Sequence, residues 1–175
     1  MDWRERIRNL WIERAVWMRH YIISLMMGLR DLSFVAARLL RNGTDIARAI
    51  SYYYGDEVAI QAENLFTQNV LLLSELASTI KSGGSIEPMI AGYDAIGSGL
   101  LELLAQANPN LDKTVWEAYI KNQFNLQLDL LRSLSQGQYS EGITNFDLAY
   151  GNATRIARQM IDGIEAQFGL GTVSA

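Results

Sequence analysis

Apolar positions recur with a helical period along nearly the whole chain, and the residues that break helices fall between the periodic runs. The pattern predicts seven helices, at about 2–27, 32–41, 45–54, 56–82, 87–106, 112–135 and 140–168. Gly28, Asn42-Gly43-Thr44, Gly55, Gly83-Gly84, Asn108-Pro109 and Gly137 separate them. Four of the seven have 24 or more residues, roughly 35–40 Å each at 1.5 Å per residue, and all four are amphipathic. No alternating strand pattern occurs; Tyr52-Tyr53-Tyr54 is too short a run to make a sheet and reads as packing. The expected fold is therefore all-α: a four-helix bundle of long amphipathic helices, with 32–54 and 87–106 as short connecting helices on its outside or ends. One domain is expected over 1–168, with a flexible C-terminal tail over 169–175.

Each long stripe is interrupted near its middle by a polar residue. Trp3, Ile7, Leu10, Trp11, Trp17, Met18, Tyr21 and Leu25 share a face of the first helix, with Arg14 in its centre. Asn69 interrupts Val58, Ala62, Leu65, Leu72, Leu76 and Ile80; Gln123 interrupts Val115, Trp116, Tyr119, Leu126, Leu130 and Leu134. Tyr150 stands near the middle of Ile143, Phe146, Ala153, Ala157, Met160 and Ile164. All four sit roughly 15–20 Å along their helices, so they meet at one level whichever way each helix runs. An interior guanidinium needs a partner, and Asp147, one turn before Tyr150, is the first candidate counter-ion, with Asp129 and Glu75 behind it. Arg14, Asn69, Gln123, Asp147 and Tyr150 thus form the candidate ligand-binding layer, able to offer charge and hydrogen bonds to a carboxylate or phosphate. The alternative is a satisfied polar layer that fixes helix register.

A second apolar stripe of the first helix, Ile12, Val16, Ile23 and Met27, faces nearly away from the first. It implies either cover from the 32–54 segment or a homodimer contact.

Charge divides unevenly. Residues 1–50 carry nine arginines against five acids, net +4, and residues 51–175 carry six basic against fourteen acidic residues, net −8. With a pI near 5.0 the basic front reads as a solvated face that pairs with the acidic half, not as a nucleic-acid surface. The helix–Gly turn–helix spacing around Arg38, Arg41 and Arg48 is permissive for DNA, but the second helix offers little chemistry for reading bases. Tyr21–Met27 is too short to cross a bilayer and follows Arg19 and His20, so neither a signal sequence nor a transmembrane segment is expected, and the cytoplasm is the default address.

The residues Leu10-Trp11-Ile12-Glu13-Arg14-Ala15-Val16-Trp17-Met18-Arg19, Ile22-Ile23-Ser24, Leu39-Leu40-Arg41-Asn42 with Asp45-Ile46, Tyr54-Gly55 and Asn145-Phe146-Asp147 carry a resemblance. The chain resembles a group of small all-helical bacterial proteins of unknown function, sometimes mislabelled acetylglutamate kinase, an α/β enzyme that such short helical chains cannot be. In that group histidine often stands at the positions of Arg14, Asn69 and Gln123, which implies a metal- or proton-binding layer there. This chain departs from the pattern at all three.

Other chemistry is excluded more directly. With no cysteine and a single histidine there is no thiolate site, no Glu-x-x-His di-metal pair and no Ser-His-Asp arrangement, and His20 falls on the polar side of its helix. No phosphate-cradling glycine loop exists, since Gly97-Ser98-Gly99 lies within a helical run. No metal and no cofactor are expected. The expected function is a non-enzymatic binding or interaction protein holding a small anion at the core polar layer. The alternative is an enzyme or metal-binding bundle protein with its site in that same layer.

Overall fold

The computed structural model describes residues 2–170, and five helices account for nearly all of them: α1 (Trp3–Met27), α2 (Leu32–Lys81), α3 (Glu87–Ala107), α4 (Lys113–Ser135) and α5 (Tyr139–Phe168). The all-α class follows directly. Glycine ends four of the five. After α1, α2, α4 and α5 a glycine with positive φ (Gly28, Gly83, Gly137, Gly169) lets the next amide bond back to the carbonyl five residues earlier, as Leu29 does to Ser24 O at 3.0 Å. At the other end of α4, Asp112 Oδ1 accepts from the amides of Thr114 and Val115 at 3.0 and 3.1 Å.

Two features depart from the expected connections. Asn42-Gly43-Thr44 does not interrupt the chain, and 32–54 is one continuous helical arm. The buried Asn42 amide donates to Leu10 O on α1 at 3.0 Å. Gly43 is a close-approach point, because a Cβ there would lie 3.1 Å from Phe66 Cβ. A locally turn-prone triplet is thus held helical by its tertiary contacts. The real break is Gly55, the one residue within α2 with non-helical dihedrals (φ 81°, ψ 169°). There the chain folds back without a loop, so that Thr44 Oγ1 on the first arm donates to Glu63 on the second at 2.7 Å.

The second departure is α3. Rather than packing outside, it wedges between the second arm of α2 and α4, and buries Tyr93, Ile96, Leu100, Leu101 and Leu104. α1 occupies the centre, packed on α2, α4 and α5. Its inward face builds the core with Trp11, Met18, Tyr21 and Ile22, and Trp11 meets Phe66 and Trp116 edge to face.

The outward stripe of α1 is only partly covered: Ile12, Val16 and Ile23 are half-buried and Met27 is 41% exposed. Of the expected tail over 169–175, Leu170 donates its amide to Glu165 O and accepts from Arg4 Nη2 at 2.9 Å, and 171–175 lie outside the described residues. No helix among the described residues is long and apolar enough to cross a membrane.

Candidate functional site

Arg14 is buried where α1, α2, α3 and α4 meet. Only 7% of it is exposed, and its Nη2 donates to Asn69 Oδ1 at 3.1 Å. The Asn69 amide nitrogen in turn donates to Tyr93 Oη and to Gln127 Oε1, both at 3.2 Å, and Tyr93 Oη donates to Gln127 Oε1 at 2.6 Å. Four helices therefore contribute one side chain each to a single buried polar layer. The stacked ring of Phe66, 4.2 Å from the guanidinium carbon, gives the charge a further attractive face.

No carboxylate of the described residues enters the layer. Asp147 lies on the exposed side of α5, Asp129 pairs with Arg132 at 3.4 Å, and Glu75 is exposed. The expected counter-ion is thus a misassignment, and its cause is the orientation of α5. The first half of that helix turns small and amide residues inward: Gly142 against Leu130, Asn145 to Ser133 Oγ at 3.1 Å, and Asn152 to Gln123 Oε1 and Tyr119 O, both at 2.8 Å. Its larger Ile143 and Tyr150 are left outside, Tyr150 at 43% exposure. Tyr150 and Asp147 therefore do not join the layer.

Gln123 belongs to the neighbouring α4–α5 contact, and Gln127, one turn further along α4, takes the place expected for it. Arg14 and Asn69 stand together as the stripe pattern predicts. Tyr93 escaped the sequence reading because α3 was expected outside; its spacing with Ile96, Leu100 and Leu104 is the signal that α3 has a core face.

Electrostatics follow from burial. Desolvation lowers the Arg14 guanidinium to about 10, which leaves it charged at neutral pH in a site to which the described residues bring no negative group. Desolvation likewise pushes the Tyr93 phenol far above the ordinary tyrosine range, so it stays a hydroxyl donor. Two donors here have no acceptor among the described protein atoms: Arg14 Nη1 and, one turn earlier on α1, Trp11 Nε1. Arg14 and Trp11 both line a small cavity with Phe66, Gln123, Phe124 and Gln127, whose volume is about 20 Å³. A single water needs roughly 10–15 Å³, so the space suits one water-sized occupant and is too small for phosphate or an organic carboxylate in this packing.

Among the described residues no three His, Cys, Asp or Glu side chains cluster as a metal would require. His20 is exposed, with Nδ1 2.8 Å from Val16 O. Of the arginines weighed for DNA, Arg38 is bound to Glu13 at 2.6 Å and stacked over Trp17, and Arg41 reaches Asp45 at 3.8 Å. No protein-family model, curated protein or solved structure matches the chain.

Proposed function

We propose that this is a non-enzymatic binding protein whose core holds a monatomic anion of chloride size beside Arg14. The observation that carries the reading is a buried, charged guanidinium whose Nη1 has no partner and which has no carboxylate in reach among the described residues, with a water-sized cavity at its side. Desolvating an ion costs several kcal/mol unless it is paired, and one amide oxygen with one aromatic face is a small return for a full charge. A halide would supply the missing negative charge and accept from Arg14 Nη1; Trp11, whose Nε1 also has no acceptor among the described residues, lines the same cavity. The cavity volume narrows the ligand class from carboxylates and phosphates to single-atom anions.

Thermal unfolding in sodium chloride and sodium bromide, against sodium sulfate and gluconate at matched ionic strength, tests this. At halide concentrations about tenfold above Kd the gain is about 1.4 kcal/mol, or about 3–5 °C for a chain of this size. Arg14→Met abolishes that gain. Equal melting temperatures in all four salts, or a halide gain that persists in Arg14→Met, overturn the reading.

A further inference from the structure

At the end of the bundle where α1 begins and α5 stops, Trp3, Arg6, Arg48, Tyr52, Tyr53 and Leu170 line an open groove of about 600 Å³. That size is ordinary for a small-molecule site. Its aromatic wall is braced from behind: Trp3 lies 5.5 Å from Tyr53, and Tyr53 lies 5.5 Å from Phe168. Arg4 holds the corner, stacked over Trp3 at 4.9 Å and bonded to Leu170 O at 2.9 Å. Tyr52 differs from its neighbours, because 85% of it is exposed and it meets Tyr53 only edge-on at 5.0 Å. The expectation that all three consecutive tyrosines serve packing therefore fails at Tyr52.

Two charges of the groove are equally uncommitted. Arg4 engages both Asp2 and Glu165, and Arg41 takes Asp45. Arg6 and Arg48, both exposed, have no carboxylate partner among the described residues. Two unneutralised guanidiniums beside a pre-built aromatic wall match a ligand that has both an oxyanion and a ring.

We propose that this groove binds a small organic anion with a planar aromatic ring, the ring stacking on Tyr52 and Trp3 and its phosphate or carboxylate taken by Arg6 and Arg48. Guanidinium forks hold such heads bidentately, and stacking adds affinity that inorganic phosphate cannot use. A nucleic-acid strand fits less well, since it needs a cationic track and the next arginines on the α2 arm, Arg41 and Arg38, are tied to Asp45 and Glu13.

Calorimetric titration of the full chain with 1-naphthyl phosphate, 1-naphthoate, 1-naphthol and inorganic phosphate tests the proposal. At least one naphthyl anion should bind about tenfold or more tightly than naphthol and inorganic phosphate, and the better of the two identifies the head group. Arg6→Gln, Arg48→Gln and Tyr52→Ala should each weaken it about fivefold or more, with unchanged melting temperature because all three side chains are exposed. Arg14→Met should leave it unaltered, which separates this groove from the core layer. The proposal is overturned if neither naphthyl anion outbinds naphthol, or if Arg48→Gln binds as the wild type does. It is also overturned if a short single-stranded oligonucleotide binds more than about a hundredfold tighter than naphthyl phosphate.

Discussion

Arg6 and Arg14 stand on the same helix, about two turns apart, and meet opposite environments. Arg14 is enclosed by four helices, where its charge is met by one amide oxygen and one phenyl face. Arg6 borders an open groove, keeps its hydration and has no fixed partner among the described residues. The same side chain therefore has different uses in the two places. A packed core limits a buried cation to whatever the surrounding rotamers leave room for, here about 20 Å³. An exposed cation beside a groove of about 600 Å³ can give up its water to a much larger partner. Volume and hydration, more than residue identity, set what each arginine can bind.

The sharpest way to break the buried side of this contrast is to remove its organiser. Asn69 makes three hydrogen bonds, to Arg14, Tyr93 and Gln127, and is the one side chain that joins the charge to the rest of the layer. Asn69→Leu in halide-free buffer leaves a desolvated guanidinium with no side-chain hydrogen bond among the described residues, and should cost about 3–5 kcal/mol in chemical denaturation. Adding Arg14→Met should recover most of that loss, because two apolar residues can pack where an unpaired charge could not. Losses that simply add in the double variant would mean Arg14 and Asn69 are not coupled, and the layer is not one unit.

A smaller effect comes from pH. The folded-state value of Arg14 is depressed to about 10 from the ordinary arginine range, so between the two the unfolded chain binds a proton that the folded chain has released. Stability from this residue therefore rises with pH in that window. Tyr93 acts oppositely, since its raised value makes the unfolded chain lose its proton first, and stability from it falls above the ordinary tyrosine range. Comparing wild type with Arg14→Met in halide-free buffer isolates the arginine contribution. The difference should move in favour of wild type by about 1 kcal/mol between pH of about 9.5 and about 11. A difference independent of pH would show that Arg14 is far better solvated than its burial implies.

Helix periods and glycine stops carried most of the fold in plain view, down to Gly28, Gly83 and Gly137 at positions where only a left-handed residue closes the cap. What escaped was decided between elements. Asn42-Gly43 has the local chemistry of a turn, yet stays helical because Asn42 finds Leu10 O and Gly43 lets Phe66 approach. Arg14 and Asn69 were legible because a polar residue stands out in an apolar stripe. Tyr93 was not, since a tyrosine in a stripe counts as apolar until its hydroxyl is placed. On the first half of α5, residue size pointed the wrong way: helices approach closely there through glycine and bond through asparagine, and the bulky Ile143 and Tyr150 face outward, whereas the second half buries Met160 and Ile164 as the stripe predicts.

That last reversal supplies the mildest test. If α5 turns Asn145 and Asn152 inward and Asp147 outward, the layer owes nothing to Asp147. Asp147→Asn, which keeps the shape and removes the charge, should shift stability by no more than about 0.5 kcal/mol, as a solvated surface position does. The same change should leave the effect of Arg14→Met as it was, giving an interaction energy within about 0.3–0.5 kcal/mol of zero in the double-variant cycle. By contrast, a carboxylate paired with a buried guanidinium would cost about 3–5 kcal/mol on removal and would couple strongly to Arg14. A strong coupling would restore Asp147 as counter-ion, satisfy Arg14 from within the chain, and remove the reason for an anion in the core.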